Sequence, residues 1–168
     1  MEAANEDRAA VQKIDMASQT KTVANVQQAV PFFRVSNMEK SLHFYVDGLG
    51  FEMTKKWTPD GNGKVLWCWL QHGDAAIMLQ EFRKEGVNSW TPESKVGVGV
   101  SISFQCKDAL ALYRDFKSRG IEAKTPFVGN AMWVTSVQDP DGYKLEFESF
   151  TDVPEETVFS EPETSQSS

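Results

Sequence analysis

The sequence has few of the residues that form disulfides, bind zinc or span membranes. Its 168 residues include two cysteines and two histidines. It contains no run of about 18 apolar residues, the length that suggests a membrane-spanning helix. The first 30 residues lack the basic start and apolar block of a secretory signal. We therefore expect a cytoplasmic protein that does not associate with membranes.

The two cysteines give no indication of redox or zinc chemistry. Cys68 and Cys106 lie in apolar, strand-like runs and form neither a CxxC pair nor a zinc-knuckle spacing. Free Cys behaves as a small apolar residue and is commonly buried. The sequence therefore predicts two buried free thiols.

Basic residues are not clustered, and the acidic excess lies at the C-terminus. The net charge is −7, and residues 151–168 contain five acidic residues and no Lys or Arg. Residues 28–150 hold 15 acidic and 14 basic residues, so this part is nearly neutral. Since no basic face stands out, we expect no nucleic-acid partner.

Composition divides the chain into three parts. Residues 1–27 are rich in Ala, Gln and charge with a weak apolar stripe, which predicts an arm that is weakly helical or disordered. Residues 151–168 are rich in Glu, Ser, Thr and Pro, which predicts an acidic disordered tail. The stretch between them, residues 28–150, has the patterning of one folded domain.

That domain reads as two copies of a β, α, β, β, β unit. Residues 28–82 form the first copy, residues 83–97 a linker and residues 98–150 the second. Asn37 and Asp108 are predicted to cap the two helices, which end at Gly50 and Gly120. A shift of 68 residues aligns HGDAAIMLQEF with PDGYKLEFESF. Matching element order and turns indicate an α+β fold built by duplication.

Three segments resemble a known family: VSNMEKSLHFYVDGLGF, DALALYRDFKSRGI and DPDGYKLEF. They are similar to the glyoxalase/bleomycin-resistance/dioxygenase (vicinal oxygen chelate) superfamily over residues 28–150. The resemblance implies two tandem βαβββ modules that form an open barrel around a cavity. It also implies a homodimer, in some members with the cavity between chains.

Metal enzymes of this family bind a divalent ion through side chains on the first and last strands of each module. The resemblance places those positions at Val30, Met78, Ser101 and Glu146. Only Glu146 could hold a hard cation, and one carboxylate makes a poor metal site. His43 and His72 are interpreted as surface or turn residues. We therefore expect no catalytic metal or other cofactor, with a divalent ion as the alternative.

Strand alternation predicts which residues face the cavity, because residues two apart share a face. Such a face, with its aromatic groups and few polar groups, suits a small organic molecule. The predicted ligand-binding residues are Phe32, Arg34, Trp67, Trp69, Met78, Gln80, Ser101, Ser103, Trp133, Glu146 and Glu148. Core packing is the alternative for the Trp residues, and the sequence does not decide which face of KVLWCWL points inward. Arg34 is alternatively predicted to pair with Glu146 or Glu148 across the barrel.

Three functions follow from these observations. The first is a binding protein without a metal, similar to bleomycin-resistance proteins, with antibiotic resistance as an analogy from the fold. The second is an enzyme of the same superfamily, a lyase, isomerase or dioxygenase, that uses Glu146 as a metal ligand or as an acid/base group with a raised pKa. The third is an interaction protein whose tail or arm docks a partner.

Overall fold

The computed structural model describes residues 25–26, 28–59, 61–87 and 89–161. Nearly all of the predicted N-terminal arm and the last seven residues of the predicted tail lie outside these ranges. No helix among the described residues is long and apolar enough to cross a membrane.

Module one contains a four-stranded sheet with the strand order β1-β4-β3-β2, which we call sheet one. β1 runs parallel to β4, and the other neighbours are antiparallel. Its elements are β1 (Phe32–Val35), α1 (Met38–Leu42), a π-helix (His43–Gly48), β2 (Glu52–Trp57), β3 (Trp67–His72) and β4 (Ala75–Glu81).

Module two repeats this topology in sheet two, with the order β5-β8-β7-β6 and β5 parallel to β8. Its elements are β5 (Ser101–Gln105), α2 (Ala109–Ser118), β6 (Phe127–Gly129), β7 (Met132–Gln138) and β8 (Lys144–Phe150). The matching strand orders confirm the predicted α+β duplication. β6 is shorter than the strand predicted from the segment IEAKTPF. Pro126, which has no N–H to donate, precedes it. Upstream of Pro126, Ala123 forms an isolated bridge with Val137.

Both helices begin at the predicted caps. The side chain of Asn37 accepts a hydrogen bond from Lys40 N, and that of Asp108 accepts one from Ala111 N, both at 2.9 Å. The first helix departs from a regular α-helix after one turn and continues as the π-helix. Gly50 follows it at φ 81°, where a residue with a Cβ would be strained.

The helix-facing sides of both sheets pack into one shared core. Phe33 of β1 stacks on Tyr143 at 4.2 Å between ring centroids, and Phe51 packs edge-on against Phe104 at 5.9 Å. The other face of each sheet, which we call its open face, therefore points away from this core. No hydrogen bond or ion pair in the described part of the chain joins one open face to the other. Within one chain, then, the two modules do not enclose the cavity that the resemblance implied.

Residues 151–161 pack against module two, so the disordered-tail prediction is wrong for this segment. Val128 N–H donates to Thr157 O at 2.9 Å, and Phe127 forms a β-bridge with Val158. The ring of Phe159 lies edge-on to Trp133 at 6.0 Å between centroids. These contacts cover the edge strand β6, which would otherwise expose unpaired backbone groups.

The two cysteines carry free thiols. Cys68 is buried in the shared core, and burial raises its pKa to about 12. Cys106 is half-buried, so the prediction of a buried thiol is fully met only at Cys68.

Candidate ligand-binding surface

Two adjacent rows of side chains cross the open face of sheet one. The strand register places one row as Phe32, Met78, Trp69 and Lys55, and the next as Arg34, Gln80, Trp67 and Trp57. Cys68 and Leu70, which alternate with the two tryptophans of β3, are fully buried in the core. The structure thus places Trp67 and Trp69 on the open face, where the sequence left the choice undecided.

The aromatic side chains form a pocket that remains accessible. Phe32, Trp57, Trp67 and Gln80 line a cavity of about 360 Å³. Phe32 is 43% exposed and Trp57 is 41% exposed, although both are large apolar side chains. Exposed aromatic groups clustered around a cavity are typical of a binding surface.

A larger groove, of about 890 Å³, lies on the helix side of module one. It runs between α1, the π-helix and residues 62–65 and includes none of the predicted ligand-binding residues. Four of its five ionisable side chains already have partners, since His43 pairs with Asp47 and Lys64 with Glu81. The aromatic face is therefore the stronger candidate.

The two cations in these rows, Arg34 and Lys55, lie over aromatic rings. The guanidinium carbon of Arg34 is 4.9 Å from the centroid of Phe32 and 5.9 Å from that of Trp90. Lys55 Nζ is 5.4 Å from the centroid of Trp69. Such cation–π contacts contribute about 0.5–1 kcal/mol at exposed sites. The two rows contain no carboxylate, so their charge is positive.

Sequence reasoning missed several members of this surface. Trp57, Trp90, Lys55 and Arg83 were not predicted, and the guanidinium carbon of Arg83 lies 5.1 Å from the centroid of Trp57. The sequence could have indicated Trp57, because β2 is a predicted strand next to β3 and alternate residues of a strand share one face. The register across the intervening loop is set by tertiary packing, and the sequence alone does not reveal it.

The open face of sheet two carries carboxylates that already have partners. Glu146 Oε1 lies 2.7 Å from Lys144 Nζ. Glu148 accepts hydrogen bonds from Ser103 Oγ and Gln105 Nε2, both at 2.9 Å. The predicted pairing of Arg34 with Glu146 or Glu148 is therefore wrong within one chain, because the two open faces point in different directions.

The pKa of Glu146 is lowered, which contradicts the raised pKa expected for an acid/base group in an apolar cavity. Burial alone raises this pKa. Hydrogen bonds from Lys144, Ser101 and Ser136, with the charge on Lys144, outweigh burial and bring the pKa below its ordinary value of 4.5. Glu146 is thus a carboxylate at neutral pH and is poorly suited to donate a proton.

The residues at the family's metal-ligand positions do not fit a divalent ion. Met78 pairs with Phe32 in sheet one, and the equivalent Glu146 pairs with Ser103 in sheet two. The register partners on the first strands are thus Phe32 and Ser103, each two residues beyond the predicted Val30, which precedes β1, and Ser101. In the described ranges, no group of three or more His, Cys, Asp or Glu side chains could hold a metal ion. The one carboxylate at these positions is already paired with Lys144.

The predicted ligand-binding residues therefore fall into three groups. Sheet one brings together the larger group, which consists of Phe32, Arg34, Trp67, Trp69, Met78 and Gln80. Sheet two brings together Ser101, Ser103, Glu146 and Glu148. Trp133 belongs to neither, because it lies on the helix side of β7 and packs against Phe159.

Comparisons with known proteins agree with this fold. The lactoylglutathione lyase of Haemophilus influenzae is 25% identical over 118 residues, which cover 68% of this chain and 85% of that protein. The crystal structure of a bleomycin resistance determinant encoded on the transposon Tn5 is similar with a TM-score of 0.56 and 20% identity, covering 76% of this chain and 100% of the other. An antibiotic-binding protein from a Streptomyces species has a TM-score of 0.55 and 20% identity, with the same coverage.

These structural likenesses show a shared fold. A sequence model of one family also matches the chain over residues 23–147, which include both modules up to the middle of β8. The chain belongs to the glyoxalase/bleomycin resistance protein/dioxygenase superfamily.

Proposed function

We propose that this protein binds a small organic molecule with a flat ring system, without a catalytic metal or other cofactor. The observation that carries the proposal is the aromatic open face of sheet one, where Trp57 and Trp67 lie side by side next to a cavity. Aromatic rings stack favourably on a flat ligand at little entropic cost. The antibiotic-binding and bleomycin-resistance proteins of this fold add support for a ligand of this kind. A cytoplasmic location remains part of the proposal.

We further propose that a second copy of the chain covers this face. The open face of sheet two carries two carboxylates and one lysine, and it exposes Phe127 by 43% and Phe150 by 83%. Its charge and apolar groups complement the cationic aromatic face of sheet one. A homodimer that places sheet one of each protomer against sheet two of the other would enclose two equivalent cavities.

Indole N–H signals in NMR spectra provide the test of ligand binding. Titration with 2-naphthamide, a neutral flat probe, is expected to shift the signals of Trp57 and Trp67 and to leave that of Trp133 unchanged. Trp67→Ala should weaken binding by about tenfold, since it removes a stacking partner. Trp133→Phe, on the helix side, is the control and should bind as the wild type does. Equal shifts at all tryptophans, or none, would contradict the proposal.

A second candidate is an enzyme of the superfamily that uses Glu146. The similarity to lactoylglutathione lyase favours it. The lowered pKa of Glu146 and its pairing with Lys144 argue against it. The test is the interconversion of lactoylglutathione with methylglyoxal and glutathione by the protein supplied with nickel, zinc, manganese or ferrous ions. Turnover that Glu146→Gln abolishes would move this candidate ahead of the binding protein.

A further inference from the structure

We propose that Arg34 makes the aromatic face selective for flat organic anions, whose carboxylate-type group pairs with its guanidinium while the ring stacks on the neighbouring aromatic groups. This inference rests on the proposed function, because it assumes that the open face of sheet one binds a ligand. It specifies the ligand's charge, which the proposed function leaves open.

Arg34 is held in place but lacks a partner for part of its charge. Its backbone N–H donates to Tyr143 Oη at 3.3 Å, and Tyr143 Oη donates to Arg34 O at 3.1 Å. Its guanidinium lies over Phe32 and near Trp90. Nη1 is buried and makes no hydrogen bond with any described residue. A buried charged donor without a partner is costly, and a rotation of the guanidinium that brought Nη1 to a bound anion would remove that cost.

The surroundings of Arg34 favour an anion over a cation. Gln80, 5% exposed, is its neighbour in the same row and can donate through its side-chain amide. Lys55 over Trp69 and Arg83 over Trp57 add positive charge to the same aromatic surface. The carboxylate of β2, Glu52, lies one row beyond the aromatic rows, opposite Gln71. A cationic ligand would meet like charges, whereas an anion would meet three opposite ones.

A carboxylate of a second protomer is the competing partner for Arg34. The carboxylates on the open face of sheet two are less available for this role. Glu146 already pairs with Lys144, and Glu148 accepts two hydrogen bonds within its own sheet. Pairing with Arg34 would have to break or share these contacts. We therefore assign the guanidinium to the ligand.

Three probes that share one ring system and differ in charge test the proposal: 2-naphthoate, 2-naphthamide and 2-naphthylmethylammonium. Their affinities for the full-length protein are measured at neutral pH from the indole shifts. We expect 2-naphthoate to bind about tenfold more tightly than the amide, and the ammonium probe to bind most weakly. Arg34→Gln should remove the preference, so that naphthoate and the amide bind with about equal affinity. Arg34→Lys should keep part of it, because the charge stays and the planar fork is lost.

Arg119→Gln is the matched control, since Arg119 is exposed at the end of α2 and pairs with Asp115. It should leave the preference unchanged. Equal binding of naphthoate and amide to the wild type would overturn the role of Arg34 and leave the proposed function standing. The role of Arg34 would also be overturned if Arg34→Gln still preferred naphthoate to the amide. A variant that lost dimer affinity and kept this preference would show that Arg34 pairs with the second protomer instead. If none of the probes shifts the indole signals, the proposed function itself fails.

Salt dependence gives a test that needs no variant. Between about 0.05 M and about 0.5 M NaCl, the affinity for naphthoate should fall while that for the amide stays constant. The same salt response for both probes would contradict the proposal even if Arg34→Gln did not fold.

Discussion

The hydroxyl group of Tyr45 donates a hydrogen bond to Asp139 Oδ2 at 2.9 Å, and this contact joins the π-helix of module one to the turn of module two. Both residues are buried. Asp139 Oδ1 accepts hydrogen bonds from Tyr143 N at 2.8 Å and from Asp141 N at 3.0 Å. The DPDGY segment thus stabilises the interface between the modules.

Tyr45→Phe should lower the free energy of unfolding by about 1.5–3 kcal/mol, because it leaves one oxygen of a buried carboxylate without a partner. Chemical denaturation of wild type and variant measures this difference. Tyr113→Phe is the control, since among the described residues the hydroxyl of Tyr113 accepts a hydrogen bond only from the exposed Lys117, at 3.3 Å. If both variants lost the same free energy of unfolding, the buried hydrogen bond to Asp139 would contribute no more than the exposed one to Lys117.

The stability contribution of Asp139 should fall as pH rises. Burial raises the pKa of this carboxyl above its ordinary value of 3.8, although hydrogen bonds from Tyr143, Tyr45 and Asp141 lower it in part. The folded state therefore binds the proton more tightly than the unfolded chain does. The wild type should be most stable relative to Asp139→Asn below this ordinary pKa of 3.8 and should lose that advantage as pH rises through the folded pKa. Unfolding curves across this range measure it, and a constant difference would contradict the prediction.

Glu146 should show the opposite slope. Because its folded pKa is lowered, its contribution is present above the ordinary pKa of 4.5 and is lost as pH falls through the folded value. The stability of the wild type relative to Glu146→Gln should therefore rise with pH over the acid range. The same unfolding measurements apply, and a slope of the same sign as that of Asp139 would mean that Lys144 does not hold the carboxylate in its charged form.

Phe150→Asp should weaken the proposed dimer, because it puts a charge on an apolar part of the open face of sheet two. Burying a Phe side chain contributes about 1.5–3 kcal/mol, so we expect the dissociation constant to rise by at least about tenfold. Sedimentation equilibrium over a range of concentrations measures the constant. Val87→Asp, at a fully exposed linker position, should have no effect. A wild type that remains monomeric at every concentration would rule out the second protomer.

Phe159→Ala should destabilise module two and move the fluorescence emission of Trp133 to longer wavelength. Phe159 packs against Tyr113 and Trp133, and Arg114 lies over its ring. Since Phe159 is half-buried, we expect a loss of roughly 1–2 kcal/mol, less than for a fully buried Phe. Val158→Ala, at a neighbouring residue that is 64% exposed, should change little. If Phe159→Ala left the free energy of unfolding unchanged, the packing of residues 151–161 would not contribute to the stability of module two.

The repeat, the helix caps and the alternation of strands could all be predicted from the sequence, because each depends on local chemistry. Asn37 and Asp108 cap helices through their own side chains. The register that pairs Trp57 with Trp67 could not, because it depends on packing across a loop. The pairing of Lys144 with Glu146 could have been predicted, since residues two apart on a strand share a face.

The direction of the open faces was beyond sequence reasoning for a different reason. Alternation shows that Phe32 and Arg34 share a face, but which module packs against that face depends on how the two cores meet. Phe33 on Tyr143 and Phe51 on Phe104 decide this. The absence of a catalytic metal, the bound molecule and the homodimer stay predictions.

The shared core separates the residues that stabilise this protein from those available for recognition. Along β1, Phe33 and Val35 are buried between the modules, whereas Phe32 and Arg34 alternate with them on the outside. A substitution at an outward position can alter ring stacking or charge while leaving the packed interior as it is. The preferred ligand can therefore be exchanged without refolding the chain, and engineered binders could vary the outward positions of sheet one and keep the inward ones constant.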